Sequence, residues 1–279
     1  MSAGEKALAR DAENDAASDA PTPARPLVSA VITAYDRPDF LREAIASARA
    51  QTYPRMEIIV VDDCSPTDLS AVVASFPDGA VRYERLEKNS GANVARNRGV
   101  ALARGEFVAF LDDDDIWRPD KTDRQIAAIG AREACLGGFG AVGDATDVAI
   151  WPHEIIDEDA VRLGNPFCGA SGLFARRSAL LETPFDVTLP NAQDWDLFVR
   201  LVQRGPLANV AEPVFDYRSG AHDGITRKLR KMTIADIPRR ARAVYKHQDW
   251  LGPKYFGKNL APIVLAYLPK RRQRLKLLA

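Results

Sequence analysis

Four aspartates in a row, Asp112-Asp113-Asp114-Asp115, follow the apolar run Glu106-Phe-Val-Ala-Phe-Leu111. An apolar stretch of this length ahead of a charged turn reads as a buried strand that expels its carboxylates at the C-terminal edge. Like charges this close repel, so the fold must solvate or neutralise them. A hard divalent cation, Mg²⁺ or Mn²⁺, takes oxygen ligands and shares them with a phosphate. Carboxylates at the carboxyl end of a strand, meeting a nucleoside diphosphate through such a metal, point to group transfer from an activated donor. The structural alternative is a solvated acidic turn ahead of a helix that Pro119 opens, with Asp114 or Asp115 near its start.

The elements that would position these groups alternate. Leu27–Thr33, Glu57–Val61, Val81–Leu86 and Glu106–Leu111 read as strands. Between them lie a helix opened by Asp36-Arg37-Pro38, with Phe40, Leu41, Ala44, Ile45 and Ala48 on one face, and helices across Asp68–Ser75 and Ala92–Arg104. Such alternation implies right-handed βαβ units, an α/β fold and a mostly parallel sheet. Ligands bind beyond the carboxyl ends of such strands, where Ala34-Tyr35-Asp36, Asp62-Asp63 and Asp112–Asp115 fall. Cys135 to Gly169 reads as Gly-rich loop, Gly169–Ala175 and Leu207–Tyr217 as strands, and Asp194 as the start of a helix carrying Leu197, Phe198, Leu201 and Val202 on one face.

Composition bounds the rest. Of 279 residues, 46% are hydrophobic, ordinary for a globular core. Three scattered cysteines form no disulfide framework or CxxC pair, which fits a reducing, cytoplasmic setting. The first 25 residues lack the apolar centre of a signal peptide, and no stretch approaches the roughly 18 apolar residues of a membrane span. The net charge of zero hides an asymmetry. Residues 1–24 carry two basic and five acidic groups, residues 25–226 carry 21 and 31, and residues 227–279 carry 15 and two. The expected organisation is a disordered arm over 1–26, a catalytic domain over 27–226 and a basic helical segment over 227–279. In that segment Leu260, Ile263, Val264, Tyr267 and Leu268 form an apolar helical stripe ahead of Lys270-Arg-Arg-Gln-Arg-Leu-Lys276. It suits either peripheral contact with an anionic membrane or packing on the acidic body. No nucleic-acid-binding motif accompanies the charge.

Four segments carry a resemblance: Val28-Ser-Ala-Val-Ile-Thr-Ala-Tyr-Asp-Arg-Pro-Asp-Phe-Leu41, Ile59-Val-Val-Asp-Asp-Cys-Ser-Pro-Thr-Asp68, Asn89-Ser-Gly-Ala-Asn-Val-Ala-Arg-Asn-Arg-Gly99 and Gly105-Glu-Phe-Val-Ala-Phe-Leu-Asp-Asp-Asp-Asp115. In kind and order they resemble the signatures of family 2 glycosyltransferases. The resemblance implies a GT-A fold, a nucleotide-sugar donor, a divalent metal (Mn²⁺ or Mg²⁺) and inversion at the anomeric carbon. It places Thr33, Tyr35, Asp63, Arg96, Asp112 and Asp113 among the donor contacts. Asp63 matches the carboxylate that accepts the N–H of a pyrimidine base, of UDP or dTDP type. Asp112-x-Asp114 fits the family's Asp-x-Asp pattern, with Asp114 as metal ligand; family members often carry a small polar residue where Asp113 stands. His222 resembles a downstream histidine that some members use on the metal or diphosphate, and imidazole suits Mn²⁺ better than Mg²⁺. Asp194 matches the second carboxylate of an acidic pair and would be the general base, although Gln193 stands where Glu is common.

Each position has a structural alternative. Asp63 could be a turn residue, Asp194 a helix N-cap with Asp196 as the base instead, and Trp117 either a donor neighbour or packing beneath the acidic loop. Arg96 could bridge a diphosphate or the acidic loop, and Arg98, about 200° around the helix, would face away from it. One base suffices, because a departing diphosphate needs no proton, whereas an inverting hydrolase needs a second carboxyl to supply one. The expected activity is transfer of a sugar to a glycan, lipid-linked or small-molecule acceptor in cell-surface polysaccharide or glycoconjugate synthesis. The alternative is an inactive nucleotide-sugar-binding module of the same fold. A nucleotidyltransferase or nicotinamide dehydrogenase would need a Gly-rich loop where Thr33-Ala-Tyr-Asp-Arg-Pro38 stands.

Overall fold

The structure is a computed structural model that describes residues 25–218 and 233–266. Strands β1 (Val28–Ala34), β2 (Met56–Asp62), β3 (Val81–Arg85) and β4 (Phe107–Asp112) run parallel in the spatial order β3-β2-β1-β4. Helices α1 (Pro38–Arg49), α2 (Ser70–Ala74) and α3 (Ala92–Leu102) make the crossovers. All of β1 is buried, as a strand covered on both faces requires. Leu41, Ala44, Ile45 and Ala48 of α1 are buried, as their spacing predicts. Chain order reverses between β1 and β4, which opens a crevice beyond their carboxyl ends. The register sets Thr33 opposite Asp112 across that crevice and Ala34 opposite Asp62 on the other side.

The second half is mixed rather than parallel. It contains β5 (Ile116–Trp117), α4 (Lys121–Ile129), β6 (Ala134–Ala141), β7 (Asp144–Ala149), β8 (Ile155–Ile156) and α5 (Glu158–Arg162). Then follow β9 (Phe174–Arg176), α6 (Arg177–Glu182), α7 (Gln193–Val202) and β10 (Leu207–Tyr217). The sheet continues β4-β9-β6-β10-β5, with β9 antiparallel to both neighbours and β6 parallel to β10. Two expectations fail here. The stretch after Cys135 is not loop: β6 and β7 pair within it, antiparallel. Its glycines are places of close approach, since a Cβ on Gly137 would lie 2.6 Å from the Val214 side chain and one on Gly138 2.7 Å from the Ala149 carbonyl oxygen. Gly169–Ala175 is not one strand either. Ala170–Gly172 is a 3₁₀ turn, and a Cβ on Gly172 would meet the Gly137 carbonyl oxygen at 2.7 Å.

After residue 232 come α8 (Ile237–Arg240), α9 (Arg242–Lys246) and α10 (Gln248–Leu265), the last broken at Gly252, φ 63°, before Pro253. Leu251 is buried, and Trp250, Tyr255, Phe256, Leu260 and Ile263 pack on the core. Of the expected apolar stripe, Leu260 and Ile263 therefore pack on the domain, while Val264 is exposed. Tyr267, Leu268, the basic run 270–276 and the arm over 1–24 lie outside the described residues, among which no helix is long and apolar enough to cross a membrane.

Candidate active site

Each carboxylate of the acidic run meets a separate partner. Asp112, at the end of β4, accepts from the Arg96 guanidinium at 2.7 Å and from Thr33 Oγ1 at 3.2 Å. Asp113 is buried, accepts the Tyr35 N–H at 2.9 Å and pairs with Arg37 at 3.2 Å. Burial pushes its pKa up to about 8, against the pull of Arg37 and with a further push from Asp114. Asp114 pairs with the same Arg37 guanidinium. Asp115 is not the neighbour of the helix after Pro119: that helix begins after Asp120, and Asp115 is buried beneath the loop. It accepts from Ser171 Oγ at 2.5 Å and from the Arg218 N–H at 3.4 Å. Burial, reinforced by Asp112 and Asp114, holds its pKa well above the ordinary value.

Asp112, Asp114 and Asp115 each offer one oxygen, and the three oxygens lie within 4.8 Å of one another. All are hard carboxylate donors, the chemistry that Mg²⁺ and Mn²⁺ take, so the residues present fit a divalent cation. His222, the other expected ligand, lies outside the described residues.

At the exit of β2, Asp63 is held by backbone. Asp63, nearly fully buried, accepts N–H groups from Ser90 at 2.6 Å and Gly91 at 2.8 Å. Two such bonds fix a carboxylate and leave it further lone pairs for another donor. Its neighbour Asp62 is wholly structural, bonded to Ser65, Tyr83 and Arg85. Tyr35 is 42% exposed, free to meet a flat ligand. Arg96 is buried on α3, lies over the Phe185 ring and has an Nε without a hydrogen-bond partner. Arg98 instead pairs with Glu84 at the surface. Trp117 is packing: it is buried and donates its indole N–H to the Ser171 carbonyl at 3.1 Å.

Asp194 is not an N-cap, a position that Ala192 holds in a left-handed conformation, φ 54°. Asp194 Oδ1 is enclosed and has no hydrogen-bond partner, while Oδ2 lies 3.9 Å from where a Cβ on Gly169 would be. Burial pushes its pKa up to about 6, with Arg96 opposing and Asp112 adding to the rise. Asp196 is fully buried with both oxygens bonded, to Arg200, Lys246 and His247. It is therefore no candidate base. Asp36 and Cys64, at the exits of β1 and β2, share the left-handed conformation of Ala192. Such backbone costs about 1–3 kcal/mol per residue and persists only where surroundings over-determine it.

Three residues of the site were not foreseen. Arg37 reads as part of a helix opening and turns out to bridge two carboxylates. Ser171 donates to Asp115 and accepts the Asp112 N–H at 3.1 Å, so it anchors both ends of the loop. Arg218 donates from Nε to the Asp114 carbonyl at 3.3 Å while its guanidinium covers the Phe40 ring. Only the excess of like charge in the run signalled that cations must gather there.

The chain is similar to known proteins in sequence and in fold. A sequence model described as Glycosyl transferase family 2 matches residues 29–183. TuaG of Bacillus subtilis, described as a teichuronic acid biosynthesis glycosyltransferase, is 30% identical over 206 residues, covering 70% of this chain and 79% of its own. The succinoglycan biosynthesis protein ExoO of Rhizobium meliloti is 44% identical over 109 residues, 39% of this chain but only 31% of its own length. Among solved structures, S. aureus TarS 1-349 in complex with UDP-GlcNAc superposes with a TM-score of 0.66 at 17% identity, over 83% of this chain and 72% of that one. The mannosyltransferase PcManGT of Pyrobaculum calidifontis, in complex with GDP-Man and Mn²⁺, gives 0.61 at 17% identity, over 88% and 71%. At these identities the likeness establishes a common α/β fold, the GT-A architecture.

Proposed function

The chain belongs to glycosyltransferase family 2, and from that premise we propose that it transfers a sugar, with inversion, from a UDP- or dTDP-linked donor to an acceptor hydroxyl. The observation that carries this reading is the placing of Asp194. Its unpartnered oxygen lies within electrostatic reach of Arg96 and Asp112, so among the described residues the one buried carboxylate oxygen left without a hydrogen bond borders the acidic loop. Asp63 would take the base N–H and Tyr35 the base face, while Thr33, Arg96, Asp112 and Asp113 line the path to the diphosphate. Asp112 and Asp114, with Asp115 beneath, would hold Mn²⁺ or Mg²⁺, which when bound supplies positive charge to the departing diphosphate.

Asp194 takes the proton of the acceptor hydroxyl as its oxygen bonds to the anomeric carbon. The bond from that carbon to the diphosphate oxygen breaks, and the electron pair leaves with the nucleoside diphosphate. A base whose pKa lies near 6 is ionised at neutral pH yet basic enough to take a proton. TuaG and ExoO carry names in polysaccharide synthesis, which supports a glycan or lipid-linked acceptor in the same kind of pathway. The test is a screen of nucleotide sugars with Mn²⁺, scored by released nucleoside diphosphate. Turnover that Asp194→Asn lowers by about 10²-fold or more is expected. Calorimetric donor binding with no turnover on any acceptor or water would replace this reading with that of a binding module.

A further inference from the structure

We propose that Lys246 and His247, acting through Asp196, are positioning residues that set the rotation of α7 and so the aim of Asp194. This rests on the reading of Asp194 as the base.

A buried carboxylate must be bonded on both oxygens or its burial is costly. Arg200, one turn along the same helix, satisfies Asp196 Oδ2 at 2.8 and 3.0 Å. Oδ1 is met from about 50 residues away in sequence, by His247 Nε2 and Lys246 Nζ, each at 2.7 Å. The His247 ring is in turn wedged edge-on between Trp195, at 5.7 Å, and Trp250, at 6.5 Å. Lys246 also pairs with Asp186 at 2.7 Å, Arg242 donates to the Thr188 carbonyl, and Asn191 donates to the Arg240 carbonyl. The lead-in to α7 is thus tied on one side to the C-terminal helices.

On its other side the same lead-in is tied to the donor half. Asn93 donates to the Asp186 carbonyl at 2.7 Å, and Asn97 exchanges two hydrogen bonds with the backbone of Phe185. Both lie on α3, flanking Arg96, which reaches Asp112. The left-handed Ala192 sits within this doubly held stretch, a conformation that local preference would not choose.

Asp194 and Asp196 are two residues apart, so they project about 200° from each other around the helix. Asp196 faces the C-terminal helices and Asp194 faces Gly169 and the acidic loop. A rotation of about 20° at a side-chain radius of roughly 5–6 Å would carry the Asp194 carboxylate about 2 Å. Displacements of that size cost on the order of 10²-fold in rate. The charged and titratable groups around the pair are Arg96, Asp112 and Cys168 near Asp194, and Arg200, Lys246 and His247 on Asp196.

The experiment follows the Asp194 carboxyl directly, by ¹³C NMR titration of aspartate-labelled full-length protein, with its signal assigned by loss in Asp194→Asn. The variants are His247→Ala, Lys246→Met/His247→Ala and His247→Gln, each checked for melting temperature and for binding of UDP with Mn²⁺. Release of UDP from UDP-GlcNAc, with water as acceptor, gives the split between kcat and KM. The proposal expects folded variants that bind UDP within about 3-fold of the parent. In the alanine variants the Asp194 midpoint should fall by a unit or more as water reaches it, and kcat should drop at least 10-fold at unchanged KM. His247→Gln, which can still donate to Asp196, should restore both. An unchanged midpoint in folded His247→Ala overturns the proposal, and so does a midpoint that moves only when the fold melts; the single variant decides if the double one does not fold. Retained turnover in Asp194→Asn would instead remove the base reading, leaving the NMR result to judge the positioning alone.

Discussion

The acidic loop and the start of α7 use the same side chain in opposite ways. In the loop, four carboxylates are crowded together and each is given a counterpart: Arg96, Arg37, Ser171 or the Arg218 backbone. On α7, two aspartates are kept apart on opposite faces; Asp196 is saturated, and Asp194 has an enclosed oxygen with no hydrogen-bond partner among the described residues. The partnered carboxylates form a fixed acidic loop in which oxygens of Asp112, Asp114 and Asp115 lie close enough together to hold a cation. Burial raises the pKa of Asp113 and Asp115 as it does that of Asp194, so what sets Asp194 apart is the enclosed oxygen left without a hydrogen bond, which suits the base role proposed for it. The difference lies in partners, not in residue type.

The comparison breaks most readily at Asp114. Asp114→Asn should abolish metal-dependent donor binding and reduce transfer by about 10³-fold or more, with the melting temperature nearly unchanged, because the lost charge serves the cation rather than the core. Calorimetry with Mn²⁺ and UDP, beside an activity assay, reads this. Full activity in EDTA would remove the metal from the loop altogether.

Asp194→Asn comes next. Donor affinity should hold while turnover falls by about 10²-fold or more, the usual worth of a placed base. A fall in melting temperature with turnover retained would return Asp194 to a structural role.

The pH profile sharpens the same contrast. With the Asp194 pKa raised to about 6, the ionised base is lost as pH falls through 6, so kcat/KM should drop about tenfold per unit below that point rather than below 4. Stability runs the other way. The folded state holds this proton up to about pH 6 and the unfolded state only to its ordinary value, so this group's contribution favours folding below the unfolded pKa and is lost as pH rises through 6. Opposite slopes of activity and stability between pH 4 and 6, both absent in Asp194→Asn, would identify the group.

The parallel half was legible because its rules are local. Apolar runs, capping signals and carboxylates at strand ends place β1 to β4 and bring Thr33, Asp63, Arg96 and Asp112 to one crevice. The second half was not, because its glycines answer to distant neighbours. Gly137 is set by Val214 and Gly172 by Gly137, contacts that no window of sequence displays. His247 had no context of its own for the same reason: its partner Asp196 stands 51 positions earlier. Ser171 lay hidden in a stretch that reads as strand and folds as a 3₁₀ turn.

Arg37 gives the smallest effect and the finest division between the two regions. Its guanidinium bridges Asp113 and Asp114 and so occupies the charge that a divalent cation would otherwise meet. The pair is partly solvated, with the Arg37 side chain 26% exposed, so breaking it is worth up to about 1 kcal/mol, roughly a factor of five in affinity. Arg37→Met should therefore bind Mn²⁺ a few-fold more tightly in the absence of nucleotide, read by the quenching of water-proton relaxation or by calorimetry. Asp113, whose buried carboxyl already holds its proton up to about pH 8, loses the pull of Arg37 and holds that proton still more tightly, so it adds no charge to the loop, which limits the gain. Asp194 shares no partner with Arg37, so its titration near pH 6 should not move. Weaker Mn²⁺ binding in Arg37→Met would mean that the arginine holds the loop in shape rather than competing for its charge, and the cradle would then depend on its cations as α7 depends on Lys246 and His247.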